Sequence, residues 1–356
     1  MDGTALVICD GLFATANGKT AHGLVRGTDR YRVVGVVDAP TAGRDAGDVL
    51  DGRRRGIPVF ASIPQALGAL PARPDFCVVG VATSGGRVTP GLRAALSEAI
   101  ASGLSVVNGL HEFVSDDAEL AAAAAAGGVS ITDVRKTSRR ADLHFWSGRI
   151  LEVGAPRLAV LGTDCALGKR TTARFLLEAC RASGIRTELI FTGQTGWMQG
   201  APYGFILDSI PNDFVSGELE HAIVTCWEKA RPDVILLEGQ SALRNPSGPC
   251  GSEFLLSGRA RGVILQHAPA RRCYEGMEGL DLKIPPLADE IALIRTLGAR
   301  TLAVTLNGEG MTQEGLRAER TRLAAELSLS VVLPLEEGVG ALMPLVREFL
   351  AAEAAR

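Results

Sequence analysis

Aromatic side chains are scarce in this chain, at 5% of residues, so any interior must be filled by aliphatic groups. Long apolar runs are missing too. No stretch approaches the roughly 18–20 residues that span a bilayer, so no transmembrane helix is expected. Met1 to Asp10 carries two acids and no basic residue, which argues against a secretory leader. No charge of one sign dominates. The 37 Lys and Arg against 40 Asp and Glu leave a formal net charge of −3, a poor match to a nucleic-acid or anionic-membrane binder. The seven cysteines, Cys9, Cys77, Cys165, Cys180, Cys226, Cys250 and Cys273, are odd in number and show neither metal-ligand nor redox spacing. They read as free thiols in a reducing cytoplasm. Finally, no Gly-x-Gly-x-x-Gly follows the first predicted strand, so the nicotinamide-dinucleotide fingerprint is missing.

What is present is an α/β pattern, twice. The 356 residues suggest two domains at about 150 residues each. Short β-branched runs alternate with Ala/Leu-rich helical stretches, which predicts parallel sheets covered by helices. The first half offers strands over Ala5–Cys9, Val33–Asp38, Phe76–Ala82, Leu104–Asn108 and Val129–Thr132, with helices such as Gly91–Ser102 and Asp116–Ala126. The second half offers strands over Leu158–Leu161, Thr187–Phe191, Val234–Leu237, Gly262–Gln266, Thr301–Leu306 and Val331–Leu333. Its helices include Lys169–Ser183, Gly217–Ala230, Leu287–Leu297 and Thr312–Leu327. Lys136–Pro156 is basic, mixed and aperiodic, and reads as the crossover. The expected division is a Rossmann-like domain over residues 1–140, a linker over 141–156 and a phosphate-loop domain over 157–356.

The sharpest motif is a phosphate-binding loop. A buried strand runs into Gly162-Thr163-Asp164-Cys165-Ala166-Leu167-Gly168-Lys169-Arg170-Thr171-Thr172 and then a helix. Successive backbone N–H groups form an anion nest there, the helix N-terminus adds partial positive charge and Lys169 adds a full one. Five residues separate the two glycines, one more than in the commonest form of the motif. In a magnesium-nucleotide loop the residue after the lysine is Ser or Thr, whose hydroxyl holds the metal. Here it is Arg170, which cannot bind Mg²⁺ but can fork onto phosphate oxygens. This favours a ligand whose phosphates are a handle, such as coenzyme A, over a phosphoryl donor.

Three later strands end in polar loops. Thr192-Gly193-Gln194-Thr195-Gly196 reads as an adaptable loop with Thr192, Gln194 and Thr195 as substrate contacts. Glu238 ends the next strand, as a metal-water ligand or a general base, with Gln240, Ser241 and Arg244 after it as substrate contacts. His267 ends another and is the reserve base, followed by Arg271 and Arg272. Asp208 and Asp213 read either as part of a covering loop or as turn residues. Glu218-x-x-His221 has helical spacing, but it lacks the further ligands a metal needs. In the first half, Asp38 ends a strand where a ribose-binding acid would sit, and Phe13 stands where a phosphate loop ending in Gly18-Lys19-Thr20 would need glycine.

Two resemblances add to this. Gly162-Thr163-Asp164 with Gly168-Lys169, and Glu238-Gly239, look like dethiobiotin synthetase and its phosphate-loop relatives, over the second half only. A longer match is to a bacterial and archaeal family that joins an N-terminal Rossmann-like domain to a C-terminal P-loop domain. Lys19 to Arg26, Gly109-Leu110-His111 and Asp133-Val134-Arg135 carry it in the first half. Gly162 to Thr172, Thr192 to Gly196 and Glu238-Gly239-Gln240 carry it in the second. That family includes D-glutamate N-acetyltransferases, so the resemblance implies acetyl-CoA as co-substrate. The chain departs from the family pattern Glu-Gly-Gln-Gly-Ser-Leu followed by His-Pro, reading Glu238-Gly239-Gln240-Ser241-Ala242-Leu243 and then Asn245-Pro246.

The expectation is therefore a cytoplasmic amino-acid N-acetyltransferase with no resident metal. Lys169 and Arg170 hold the phosphates of acetyl-CoA, Glu238 or His267 takes the proton, Gln194 helps to stabilise the oxyanion and Arg244 holds a substrate carboxylate. A homo-oligomer is expected by analogy only. One alternative is a Mg-ATP-dependent ligase or kinase, with Asp164 and Glu238 holding Mg²⁺ through water. The other is a nucleotide sensor without turnover.

Overall fold

The computed structural model describes residues 1–136 and 139–355. Thr137 and Ser138, inside the predicted crossover, lie outside the described residues. The chain forms two compact units, Met1–Ser138 with Gly193–Ala201, and Arg139–Thr192 with Pro202–Arg356. Each is a parallel-sheet α/β domain.

The first unit carries strands β1 (Gly3–Ile8), β2 (Tyr31–Val37), β3 (Val59–Phe60), β4 (Phe76–Val79), β5 (Ser105–Asn108) and β6 (Ile131–Asp133). Their order, β3-β2-β1-β4-β5-β6, is the doubly wound one, with its direction reversing between β1 and β4. β3 was not expected from sequence, because two residues carry no period. Asp38 is buried past the end of β2, where its carboxylate accepts from the Phe13 N–H at 3.2 Å and the Thr41 hydroxyl at 2.6 Å. The acid at the ribose position is thus committed to its own turn, and Phe13 is itself fully buried.

The second unit carries β7 (Arg157–Gly162), β8 (Thr187–Phe191), β9 (Tyr203–Gly204), β10 (Val234–Glu238), β11 (Gly262–His267), β12 (Arg300–Leu306) and β13 (Ser330–Val332), ordered β13-β12-β11-β7-β10-β8-β9. Side chains alternate across a strand. Ala159 and Leu161 of β7 join Ile235, Leu237, Val263 and Leu265 in one core. Leu158 and Val160 join Val234, Leu236 and Ile264 in the other. A C-terminal helix, Met343–Ala354, not among the expected ones, buries Val346 and Phe349 in that second core.

One segment differs from expectation. The predicted polar loop after β8 is a short helix, Gln194–Met198, and it packs within the first unit. Met198 is fully buried in that unit's core.

Candidate functional site

β7 sits between β11 and β10, so its C-terminal end opens at the middle of the second sheet. The chain leaves β7 at Gly162, turns through residues 163–168 and enters the helix Lys169–Ala182. Both glycines are required locally. A Cβ on Gly162 would lie 2.9 Å from Cδ of Lys169, and Gly168 has φ +95°, open to glycine and strained for other residues. Lys169 is buried, and its Nζ donates to the carbonyls of Asp164 at 2.6 Å and Ser241 at 2.8 Å. The ammonium therefore lies across the loop.

Arg170 and Glu238 meet directly. Nη1 of Arg170 donates to Oε2 of Glu238 at 2.6 Å, and both side chains are largely buried. The same carboxylate oxygen accepts from the Thr192 N–H at 3.2 Å, and the Thr192 hydroxyl donates to the Glu238 carbonyl at 2.7 Å. Gln240 donates to the Thr192 hydroxyl oxygen at 3.2 Å. Burial pushes the Arg170 pKa down while the Glu238 charge opposes it.

Asp164 is completely buried and anchors the loop. It accepts from Asn245 at 3.0 Å, from Arg271 at 3.1 Å and from the Glu275 N–H at 2.8 Å. Burial works against the Arg271 charge, but hydrogen bonds to Asp164 and Glu309 outweigh it and raise the pKa. Arg271 also donates to the Cys165 carbonyl, and Asn307 donates to that of Leu167. Cys165 is half-buried, with its thiol 3.4 Å from the Ser241 hydroxyl. Gln266, buried at the end of β11, accepts from the Thr172 and Thr305 hydroxyls at 2.6 and 2.7 Å. Thr171 is half-buried on the first helical turn. Sequence reasoning missed Gln266 and Asn307 and gave Asn245 and Arg271 no anchoring role. The available signal was an amide or guanidinium just past each strand end.

His267 joins the same loop, with Nδ1 2.9 Å from the Thr163 hydroxyl oxygen. Burial lowers its pKa to about 4, so the imidazole is neutral at physiological pH. Arg244 is already paired, its Nε donating to Oε2 of Glu290 at 2.7 Å. Burial pushes the Glu290 pKa up, and Arg244 opposes the shift. Gln194 and Thr195 sit in the first unit. Gln194 accepts from Arg135 at 2.9 Å, and the Thr195 and Thr20 hydroxyls lie 3.2 Å apart. Asp208 falls in a single turn and Asp213 in the first turn of the helix Asn212–Ala230.

A P-loop normally implies Mg²⁺, and these residues do not suit it. The hydroxyl position is Arg170, and the two carboxylates that would hold metal-bound water, Asp164 and Glu238, are each bonded to an arginine. Among the described residues no group of three or more His, Cys, Asp or Glu is arranged to hold a metal ion. Nor is any helix among them long and apolar enough to cross a membrane.

Residues 144–343 match the P-loop domain of the DUF1611 family, and residues 39–137 match its Rossmann-like domain, both described as of unknown function. The chain belongs to this family. A crystal structure of a DUF1611 protein from Anabaena variabilis superposes with a TM-score of 0.88 at 26% identity, covering 97% of this chain and 99% of that one. A D-glutamate N-acetyltransferase from Tritonibacter scottomollicae is 28% identical over 278 residues, which is 75% of this chain and 79% of that protein. One of the same name from Pseudoalteromonas sp is 27% identical over 273 residues, with the same two coverages. The resemblance read from the sequence motifs is thus established at the level of the family and both its domains.

Proposed function

We propose that this protein is an amino-acid N-acetyltransferase that moves the acetyl group of acetyl-CoA to the amine of D-glutamate. The observation that carries the reading is the P-loop with two cations, Lys169 and Arg170, at the start of its helix, in a chain whose relatives bear that name. The pyrophosphate of the acyl donor rests in the nest as a handle, away from the reacting thioester. The substrate amine attacks the thioester carbonyl, a C–N bond forms, the C–S bond breaks and the coenzyme leaves as thiolate. The amine's proton needs an acceptor. In this reading it is His267 ahead of Glu238, because the imidazole is neutral while the Glu238 carboxylate is bonded to Arg170 and Thr192.

A turnover assay by mass spectrometry tests this. The full chain receives acetyl-CoA and a pool of D- and L-amino acids, with EDTA and without ATP. N-acetyl-D-glutamate is the expected product. Acetylation of another amine would keep the chemistry and replace the acceptor. Absence of product in EDTA, with turnover of Mg-ATP in its place, would overturn the proposal in favour of a ligase or kinase. His267→Asn should lower kcat roughly a hundredfold while leaving coenzyme A affinity intact.

A further inference from the structure

The Arg170–Glu238 pair stands where a P-loop protein usually builds its magnesium site. One partner is the residue after the loop lysine and the other is the carboxylate ending the strand beside β7. In a magnesium-nucleotide site those two positions face each other across the metal, one through a hydroxyl and the other through metal-bound water. Here they touch at 2.6 Å, largely buried, with no gap for an ion between the bonded atoms. The neighbouring acid that could substitute, Asp164, is held by Arg271 and Asn245.

We infer that the Arg170 guanidinium is a built-in replacement for the metal, making this P-loop a site for metal-free pyrophosphate groups, with residue 170 deciding between metal-free and Mg-bound ligands. Three features support this beyond the missing hydroxyl. The guanidinium is planar and carries five N–H donors, so bonding to Glu238 leaves it the capacity to reach phosphate oxygens as well. It is held in place by the Glu238 carboxylate, which also accepts from the Thr192 N–H. The charges also have a consistent sum. Lys169 and Arg170 supply two positive charges and Glu238 removes one, while the loop's own Asp164 is matched by Arg271, leaving the nest a net cation before the helix dipole is counted. Glu238 in this arrangement is a positioning residue, acting on the ligand through Arg170. The inference rests on the phosphate-loop part of the proposed function and deepens it, but it does not depend on which pyrophosphate compound is the natural ligand.

Titration calorimetry on the full chain decides the matter, with coenzyme A, ADP and inorganic pyrophosphate as probes, each in EDTA and in magnesium. The wild-type protein should bind in EDTA and no tighter in magnesium. Arg170→Ser should lose roughly ten- to a hundredfold of its affinity in EDTA, the value of one or two charge-assisted hydrogen bonds, and should regain affinity when magnesium is added. Glu238→Gln should move the other way, binding about three- to tenfold tighter in EDTA, because the guanidinium is no longer partly neutralised. Arg170→Lys keeps the charge without the fork. It serves if Arg170→Ser does not fold, and should be weaker than wild type yet indifferent to magnesium. The inference is overturned if the wild-type protein requires magnesium to bind, if Arg170→Ser binds in EDTA as well as wild type, or if no probe binds in either buffer. Pyrophosphate and ADP binding in EDTA without coenzyme A would uphold the inference and remove the acyl-donor reading. Coenzyme A binding only with magnesium would do the reverse.

Discussion

A neutral imidazole at the mouth of the phosphate loop has a measurable thermodynamic cost. In an unfolded chain His267 would titrate near 6.5, and in the fold burial lowers this to about 4. Between these two values the unfolded state binds a proton that the folded state refuses. Stability must therefore fall as pH drops from about 6.5 to about 4, by up to ~3 kcal/mol, and the contribution is fully present only above the upper limit. The charges acting on the ring are those of Glu319 and Arg322, and Nδ1 rests on the Thr163 hydroxyl oxygen. His267→Asn removes the titrating group. Urea unfolding at pH 7, 6, 5 and 4 should show a flatter pH profile in the variant, since the imidazole titration is gone and Glu319 is the other group that feels the His267 charge. Parallel profiles would show that the imidazole is not held neutral. Residue-scale detail of this kind was only half legible in the sequence. The spacing of Gly162, Gly168 and Lys169 announced a nest because backbone geometry demands those residue types. That Ser241 adopts φ +38° could not be read. Nor could the place of Asn245, since only the fold shows its amide on Asp164.

Between residue and molecule lies the strap formed by residues 139–152, which lies against the helix Asn212–Ala230. Glu220 of that helix is 3% exposed and accepts from the Ser147 N–H and hydroxyl at 2.6 and 2.7 Å and from the Ile150 N–H at 3.0 Å. Two residues away, Glu218 accepts from the His144 N–H at 2.8 Å and its Oε1 lies 2.8 Å from His144 Nδ1. The His144 ring stacks on His221 with centroids 3.7 Å apart. The Glu218-x-x-His221 spacing is thus a clasp for the strap. Glu220→Gln exchanges an acceptor oxygen for a donor amide facing N–H groups, and should destabilise this unit by about 2–3 kcal/mol, read as a lower unfolding midpoint in urea. An unchanged midpoint would mean that the strap contributes nothing to stability. Apart from the two-residue β9, the strands of this unit were readable from sequence because buried parallel strands are near-continuous apolar runs, as in Val234–Leu237. The strap was not, because its order comes from carboxylates far along the chain, and a sequence window sees no partner.

At the scale of the whole molecule, the chain does not keep its two units sequentially separate. Gly193–Ala201 leaves the second unit after β8 and is built into the first. There Gln199 donates to the carbonyls of Gly23 and Gly27, both at 2.7 Å, and Thr28 donates to that of Met198 at 3.0 Å. Arg30 stacks over Trp197 at 4.0 Å, and Arg135 donates both to the Gly109 carbonyl and to Gln194. The family motifs of the first half therefore converge, within one unit, on a helix supplied by the second half. A fragment beginning at Arg139 would carry this helix without its surroundings, leaving the buried Met198 and the Trp197 indole in water and the Gln199 amide without its carbonyl partners. Exposed apolar groups of this size promote association. The fragment should accumulate largely as aggregate, whereas the same fragment with residues 193–201 replaced by a Gly-Ser linker should give more soluble monomer by size-exclusion chromatography, with a far-UV circular dichroism spectrum of an α/β fold. Equal solubility would mean that the segment needs no host, and the first unit's part in this protein would have to be sought elsewhere than in holding it.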